Sequence, residues 1–283
     1  MKKLYVDGTF RISPSIFSQI YVIMAERGGF VLPVLYALLP NKEGETYRRM
    51  FEAVKELWPD LNPSSVSMDF EQAAIGALQS TYPLCAIHGC LFHLTKNMRK
   101  KLADENLLSM YNNDPEFALA ARMIVALAFV PIEDLDMAVE TLANELPLHL
   151  TPIINWFEDT SIGRLNRSRT RRCALFPPMW SVYQRTLNGD NRTNNFAEAA
   201  HRRLQAEFGM SHPTIWKFID GIRAVQKGRD LIYEQYIRGD QPLSKRKKYI
   251  DTDKRINVIV QTYQQRNIIE YLKGLAHNFL MNP

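Results

Sequence analysis

The chain has few cysteines, no long apolar run and only a small excess of positive charge. Three cysteines among 283 residues are an odd and sparse set, which argues against a disulfide framework and for a reducing compartment. No apolar run approaches the roughly 20 residues of a membrane helix, and no apolar targeting segment precedes the first predicted strand. Apolar residues make up 46% and charged residues 23% of the chain, which is ordinary for a globular protein. We therefore expect a globular protein that does not enter a membrane.

Three acidic residues occupy distinctive local positions. Asp7 and Asp69 each close a short apolar strand, and Glu198 lies one turn into a predicted helix that begins at Asn194 or Asn195. Carboxylates gathered from separate elements repel one another. A bound Mg²⁺ or Mn²⁺ is the commonest reason for such a group, because hard cations take oxygen ligands. The three carboxylates therefore predict a metal-dependent phosphoryl-transfer site.

Four short motifs, taken in order, resemble those of the Mutator-like element transposases. They are Asp-Gly-Thr-Phe beginning at Asp7, Asp-Phe-Glu beginning at Asp69, Cys90-x-x-His93 at a helix start, and Asn194-Asn195-x-x-Glu198. None is specific alone, but their order and spacing over about residues 3–210 are typical of the family. The resemblance implies a DDE-type transposase with a ribonuclease H-like catalytic domain.

The pattern of predicted elements indicates an α/β fold. Three strands in a row, at 3–10, 19–25 and 30–39, are followed by alternating strands and helices. The resemblance implies a ribonuclease H-like mixed sheet with flanking helices, an all-α insertion before the last catalytic carboxylate, and a helical C-terminal tail. The expected segments are the first part of the core at 1–105, a helical insertion and an exposed basic connection at 106–192, a helical return to the core at 193–237, and the tail at 238–283.

The resemblance also implies a mechanism that uses two divalent ions, Mg²⁺ or Mn²⁺. Asp7, Asp69 and Glu198 would be both the catalytic residues and the ligands of two ions about 4 Å apart. One ion would activate water, and later a DNA 3′ hydroxyl, for in-line attack on a phosphodiester, while the other stabilises the leaving oxygen. The implied reaction is strand cleavage at element ends, followed by joining of the freed 3′ end to target DNA. Gly8 would allow close backbone approach in a phosphate-binding cleft.

The acidic residues near the two strands also have ordinary structural interpretations. Asp7 could stand in a strand-end turn, and Asp69 could cap the helix that follows it. The cap and the catalytic role of Asp69 are compatible, because one carboxylate at a strand end can serve both. Glu71 is interpreted as a first-turn charge that complements the helix dipole.

Two other glutamates could supply the third carboxylate in place of Glu198. Glu207 on the same predicted helix and Glu234 on the next are alternatives, and only the spacing from the asparagine pair favours Glu198. His201 lies three residues after Glu198 and shares its helix face. It could hydrogen-bond the metal site or a phosphate, and an ordinary core or surface histidine is the alternative.

The Cys-x-x-His pair is open to a metal interpretation. Cys90 and His93, at i and i+3, share a helix face and could form half of a zinc site. No second pair has a suitable spacing, and Cys85, His88 and His201 would complete the site only if the fold brought them together. We therefore expect no zinc, and we interpret the pair as a structural link between its helix and the sheet, since the resembling family also carries it.

Basic residues are concentrated in three short blocks. The two blocks for which we predict DNA contacts contain Arg164, Arg167, Arg169, Arg171 and Arg172, and Lys245, Arg246, Lys247 and Lys248; the third is Arg99-Lys100-Lys101. A solvated surface is the ordinary alternative for each block, whereas phosphate contacts would position nucleic acid without reading its sequence. The expected partner is DNA, with a homo-oligomer forming on it. The block at Lys245 could equally serve as a nuclear-import signal, and the expected location is the nucleus.

Two other functions stay open at this stage. The sequence begins almost on the first catalytic strand, whereas family members usually carry an upstream zinc-dependent DNA-binding domain, so we expect a truncated or derived transposase. A domesticated, non-catalytic DNA-binding or interaction protein is one alternative, although all three carboxylates are present. A ribonuclease H-like nuclease is the other, and the long helical insertion and the late Asn-Asn-x-x-Glu motif favour a transposase over it.

Overall fold

The structure, a computed structural model, describes residues 3–163, 177–242, 244 and 246–281. Within these residues the chain has the mixed α/β composition that the sequence predicts. It divides into two compact units, each assembled from two segments. Unit 1 comprises Met1–His88 and Asn194–Ser244, and unit 2 comprises Gly89–Thr193 and Lys245–Pro283. The segment boundaries expected at residues 105, 192 and 237 stay predictions.

The described residues form five strands and a larger set of helices. The strands are β1 (Lys3–Thr9), β2 (Gln19–Arg27), β3 (Phe30–Leu39), β4 (Ser65–Met68) and β5 (Ala86–Gly89). The α-helices are α1 (Gly44–Leu57), α2 (Gln72–Thr81), α3 (Leu91–Asp104), α4 (Leu108–Asn113), α5 (Pro115–Ala126), α6 (Leu135–Glu145), α7 (Thr151–Phe157), α8 (Pro177–Trp180), α9 (Tyr183–Leu187), α10 (Asn195–Phe208), α11 (Ile215–Ile237), α12 (Lys247–Gln261) and α13 (Ile268–Ala276). No helix in this part of the chain is long and apolar enough to cross a membrane.

The five strands form one mixed sheet in the order β3-β2-β1-β4-β5. Strands β1, β2 and β3 make the antiparallel meander that the sequence predicts, and β4 lies parallel to β1 on its other side. The hairpin between β2 and β3 turns at Gly28 and Gly29, where φ is +56° and +80°. A two-residue turn of this hand needs left-handed backbone at both central positions, which glycine adopts without strain. The paired glycines therefore fix the register of β2 against β3.

Helix α1 covers one face of this sheet. Its buried residues Tyr47, Met50, Phe51 and Val54 recur at helical spacing and form one apolar stripe. The rings of Tyr47 and Phe51 meet Tyr21 of β2 edge to face, with ring centroids 5.5 and 6.3 Å apart. These aromatic contacts hold α1 against the middle of the sheet.

Helices α10 and α11 cover the opposite face. The buried side chains that the sheet shares with these two helices are Tyr5, Ile12, Ile20, Val22, Met24, Ala197, Ala200, Leu204, Phe218 and Val225. Helix α10 ends at Gly209, which has φ +59° in the left-handed region, as the sequence predicts. Its last residue, Phe208, stacks on Phe218 of α11 at 5.5 Å between ring centroids. Both helices are thus fixed to each other and to one face of the sheet.

Unit 2 is helical in its described residues and buries several large aromatic side chains. The Trp180 ring lies 5.4 Å from that of Phe157, and its Nε1 donates a hydrogen bond to the carbonyl oxygen of Ser161 at 2.7 Å. The Tyr271 hydroxyl donates to the carbonyl oxygen of Phe129. Each polar atom of these aromatic residues therefore has a partner inside the core.

One prediction about unit 2 is wrong in the part that the structure describes. The connection leading to residue 192 is predicted to be exposed, but Trp180 and Val182 are 1% and 0% exposed, and Arg185 is 7% exposed. Helices α8 and α9 insert these side chains into the helical core. The guanidinium of Arg185 donates to the carbonyl oxygens of Gly89 at 3.0 Å and Ser181 at 3.2 Å. Burial of this charge is tolerated because main-chain acceptors surround it.

Candidate active site

Two of the three predicted carboxylates come from neighbouring strands of unit 1. In the parallel pair of β1 and β4, Tyr5 lies opposite Ser67. Asp7 stands two residues after Tyr5 on β1, and Asp69 stands two residues after Ser67, directly after the end of β4. Side chains alternate along a strand, so Asp7 lies on the sheet face that Tyr5 occupies. This is the face that α10 covers.

Each aspartate is oriented by the backbone that follows it. Asp7 Oδ1 accepts a hydrogen bond from the amide of Gly8 at 2.9 Å, and Asp69 Oδ1 accepts one from the amide of Phe70 at 2.6 Å. Asp69 does not cap helix α2, whose N-cap residue is Glu71.

The start of helix α10 is tied to β1 beside Asp7. Asn194 is 1% exposed, and its Nδ2 donates to the carbonyl oxygen of Val6 at 3.0 Å. Asn194 is the N-cap residue of α10, but its side chain makes no capping hydrogen bond to the helix. His201, two turns into α10, has its Nδ1 3.7 Å from Asp7 Oδ2, and both side chains are largely buried. The asparagine of the predicted motif thus acts as an anchor between helix and strand.

Glu198 lies on the flank of α10, one turn before His201. Its side chain is 28% exposed, and its Oε2 is 3.8 Å from Arg202 on the next turn. Among the residues that the structure describes, no group of three or more His, Cys, Asp or Glu side chains is arranged to hold a metal ion. The roles predicted for the three carboxylates stay predictions. Asn195, the first residue of α10, is exposed.

Gly8 has a packing reason to be glycine. A Cβ atom at this position would lie 2.2 Å from Oε1 of Gln19 on β2, a separation that no side chain could occupy. The side chain of Gln19 is fully buried on the face that α1 covers, so Gly8 makes room for an amide behind the strand. The approach of a phosphate to Gly8 stays a prediction.

A buried polar chain runs behind the two aspartates, and sequence reasoning missed most of it. Gln19 Nε2 donates to the Tyr47 hydroxyl at 2.6 Å; burial, and to a smaller extent the charge of Glu71, raises the pKa of Tyr47. Glu71 in turn lies 3.8 Å from Lys42. The sequence signal was Gln19, an amide side chain at the start of the otherwise apolar strand β2. Glu71, interpreted as a helix-dipole charge, is also the end of this chain, two residues after Asp69.

The charges of this region act on the neighbouring tyrosines. Burial raises the pKa of Tyr21 well above its usual value, and Tyr47, Asp7, Glu71 and Asp69 raise it further. Negative charge disfavours a phenolate, so these acidic side chains contribute to the rise in the pKa of Tyr21.

The Cys-x-x-His pair belongs to unit 2. Cys90 is the N-cap residue of α3 and is 1% exposed, and His93 is 9% exposed with its ring 5.6 Å from that of Phe92. Both side chains lie in the core of their own unit. The structural role predicted for them stays a prediction.

The predicted DNA-binding residues are only partly described. Arg164, Arg167, Arg169, Arg171, Arg172 and Lys245 lie outside the described residues. Arg246, Lys247 and Lys248 are exposed at the start of α12. In the third block, Arg99 donates to the carbonyl oxygen of Met281 at 3.1 Å and Lys101 pairs with Glu105 at 2.5 Å. At least two of its three charges therefore have partners within the protein.

The fold and the site together define an α/β domain in which carboxylates from adjacent parallel strands lie under a polar helix. Residues 3–97 match the family model of the MULE transposase domain. The chain therefore carries a MULE transposase-type domain, which confirms the resemblance inferred from the motifs and relates the protein to transposases. Asp7, Asp69, Cys90 and His93 lie within the matched residues, and Glu198 lies after them. No curated protein matches the chain.

Proposed function

We propose that unit 1 catalyses metal-dependent phosphoryl transfer on DNA, with the strand cleavage and 3′-end joining of a DDE-type transposase built on a ribonuclease H-like sheet. The observation that carries the proposal is that Asp7 on β1 and Asp69 directly after β4 each come two residues after the paired Tyr5 and Ser67 of these parallel strands. Acids brought near each other repel unless a cation or a proton offsets the repulsion. The transposase domain that covers both residues supports the same reading.

The donor chemistry of the site fits a hard divalent cation. Asp7 and Asp69 are the proposed ligands of the ions, because carboxylate oxygens are the donors that hard divalent cations prefer. A backbone amide orients one oxygen of each acid. Glu198 is the proposed third ligand, reached from the flank of α10. Bound Mg²⁺ or Mn²⁺ would supply a Lewis acid for the phosphodiester and a lowered pKa for the attacking water.

The remaining residues would orient these acids. Asn194 holds α10 to the carbonyl oxygen of Val6, which fixes the helix that carries Glu198 and His201. His201 faces the second oxygen of Asp7 and would restrict its rotation. Gln19, packed against Gly8, supports the same strand end from behind. The proposed location is the nucleus, where the exposed Lys247 and Lys248 would also contact nucleic acid.

The test is nicking of supercoiled plasmid and of short duplex DNA with Mg²⁺ or Mn²⁺ present. Wild type should nick only with metal, and Asp7→Asn and Asp69→Asn should abolish nicking because each removes a charged ligand. Glu198→Gln should do the same. Its matched control is Glu207→Gln, an exposed glutamate on the same helix, which should nick like wild type.

The alternatives are separated in the same assay. Equal activity of Glu198→Gln and wild type would remove Glu198 from the site. Intact DNA with every variant, together with retained salt-sensitive binding, would favour a non-catalytic DNA-binding protein. Nicking without joining of a 3′ end to a second duplex would favour a nuclease over a transposase.

A further inference from the structure

A lysine lies over an exposed phenyl ring at the end of the sheet where the two aspartates stand. Strands β1, β3 and β4 run in one direction, so their last residues lie at the same end of the sheet. Phe10 directly follows β1, Asp69 directly follows β4, and Lys42 comes three residues after the end of β3. The Lys42 Nζ atom is 4.2 Å from the centroid of the Phe10 ring. Lys42 is therefore held at the end of the sheet where the proposed reaction takes place.

The same lysine faces an acid from the segment that follows β4. Its Nζ atom is 3.8 Å from Oε2 of Glu71, which comes two residues after Asp69. This distance is longer than the roughly 3 Å of a hydrogen bond, so the ion pair is loose. The side chain of Lys42 is 47% exposed and that of Glu71 is 27% exposed. The ammonium is therefore the more accessible partner, and it carries three N–H donors.

The backbone on both sides of Lys42 is fixed by Asn41. The Oδ1 atom of Asn41 accepts hydrogen bonds from the Glu43 amide at 3.1 Å and from the Thr46 hydroxyl at 2.6 Å. Thr46 belongs to the first turn of α1, so these bonds attach the connection after β3 to that helix. A side chain that is positioned in advance loses less conformational freedom when it binds a ligand.

The contacts of Lys42 give it only a weak structural reason to stand here. Exposed ion pairs and exposed cation–π contacts contribute little to stability, because water competes for both partners. The Phe10 ring is 44% exposed, so it gains only part of the stabilisation that full burial would bring. A phosphate ligand would supply the ammonium with a charge-assisted hydrogen bond, which is the stronger kind of contact.

We propose that the Lys42 ammonium binds a phosphate of the DNA strand that reacts at Asp7 and Asp69. Phe10 and Glu71 are positioning residues that hold the ammonium at this place. Lysine binds phosphate as a compact point charge and contacts the DNA backbone without reading its sequence. The assignment of DNA rests on the proposed function. The inference adds a substrate-binding residue to the site and places the reacting strand across the ends of β1 and β3.

The first test measures DNA binding without chemistry, in buffer that contains EDTA. Loss of one phosphate contact in Lys42→Gln should lower the slope of log Kd against log salt by about 0.9 and weaken binding roughly tenfold at low salt. Lys42→Arg keeps the charge and the phosphate donors, so it should recover the slope. A slope in Lys42→Gln equal to that of wild type would overturn the proposal.

The matched control is Lys55→Gln. Lys55 also lies over an aromatic ring, with its Nζ atom 5.7 Å from the centroid of Tyr82. It belongs to the last turn of α1, roughly 15 Å along the helix from its start. Lys55→Gln should bind DNA like wild type. Equal losses in Lys42→Gln and Lys55→Gln would show a general effect of charge and would overturn the assigned contact.

The positioning role of Phe10 has a test of its own. Phe10→Leu removes the ring beneath the ammonium but changes no charge. It should weaken DNA binding in the wild-type background and have no further effect in the Lys42→Gln background. Additive losses would show that Phe10 acts independently of Lys42, and this part of the proposal would be wrong.

Neutral phosphate analogues locate the contact along the DNA. A short duplex that wild type nicks at one position is prepared with a single methylphosphonate at each phosphate in turn, and binding is measured in EDTA. One substitution should weaken binding by wild type but not by Lys42→Gln. It should lie within about two nucleotides of the nick, because two residues of chain span at most about 7 Å and one nucleotide rises about 3.4 Å. A position farther than about four nucleotides would place Lys42 outside the site.

A stability measurement guards against misfolding. Because the ion pair is exposed, the Tm of Lys42→Gln should stay within about 2 °C of wild type. If its Tm falls much further and binding falls with it, a folding defect explains both results, and the proposal fails.

The proposal and the proposed function can fail separately. If wild type nicks DNA with metal while Lys42→Gln keeps the wild-type salt slope, the function stands and the role of Lys42 is wrong. If wild type binds DNA without nicking and Lys42→Gln lowers the slope, the phosphate contact stands and the reaction is wrong. If wild type binds no DNA at any salt concentration, both are wrong.

Discussion

The two units treat buried polar groups in different ways. In unit 2, large buried side chains donate to main-chain carbonyls: Trp180 to Ser161, Arg185 to Gly89, and Tyr271 to Phe129. In unit 1, burial raises the pKa of Tyr21, and the acids at two neighbouring strand ends, Asp7 and Asp69, together with Glu71, raise it further. The first arrangement pairs each polar group with a main-chain acceptor, and the second brings charges of one sign into one region.

This difference separates the residues that stabilise the protein from those expected to act on a ligand. A buried donor with a partner contributes modestly to stability and is costly to disrupt. Charges of one sign held together lower stability until a ligand of opposite sign binds. We therefore expect substitutions in the unit 2 core to unfold the protein. Substitutions at the charged groups of unit 1 should change binding or chemistry more than stability.

The largest stability effect should come from Trp180→Ala. This side chain is 1% exposed and packs on Phe157, so its truncation leaves a cavity and an unpaired carbonyl at Ser161. The free energy of unfolding should fall by about 3–5 kcal/mol, as measured by urea denaturation. Trp216→Ala, at a tryptophan that is 74% exposed, should change it by less than about 0.5 kcal/mol. A similar loss in both variants would contradict the burial assigned to Trp180.

An intermediate effect should come from Tyr47→Phe in unit 1. The Tyr47 ring is fully buried, and loss of its hydroxyl removes the acceptor of Gln19 Nε2. An unsatisfied buried donor costs about 1–3 kcal/mol, to be read from the shift of the denaturation midpoint. The control is Tyr233→Phe, at a half-exposed ring on α11, which should leave the midpoint unchanged. An unchanged denaturation midpoint for Tyr47→Phe would mean that the polar chain behind β1 does not stabilise the folded protein.

The smallest stability effect, of opposite sign, should come from Asp69→Asn. In EDTA this change removes one of two adjacent negative charges, so the free energy of unfolding should rise by up to about 1 kcal/mol. The same variant should lose metal-dependent nicking. A stability loss greater than that of Tyr47→Phe would show that Asp69 has a structural role, and the contrast between the units would weaken.

Much of unit 1 could be predicted because its signals are local. Strands β1 to β3, the glycine turn between β2 and β3, and helix α1 follow from apolar periodicity and turn residues. The motif residues Asp7, Asp69, Asn194 and Glu198 follow from their order in the chain. The burial of Trp180 and Arg185 could not be predicted, since the polar composition of the surrounding segment hid these two side chains, whose partners are distant in sequence.

Other parts of the site needed the folded chain. Sequence reasoning interpreted Glu71 as a helix charge, because its effect on Tyr47 depends on how two separate helical regions pack together. It treated Gly8 as a phosphate contact, because the approach of Gln19 depends on the register of β1 against β2. Neither of these long-range interactions produces a periodic pattern in the sequence.

By itself, the sequence determined the element types, the α/β class and the transposase motifs, because each depends on residues within a few positions of one another. Only the tertiary structure decided that Asp7 and Asp69 follow paired residues of the parallel strands β1 and β4, and that Asn194 anchors α10 to β1. These relations arise from strand register and helix packing, which are set by how distant segments bury their apolar faces together.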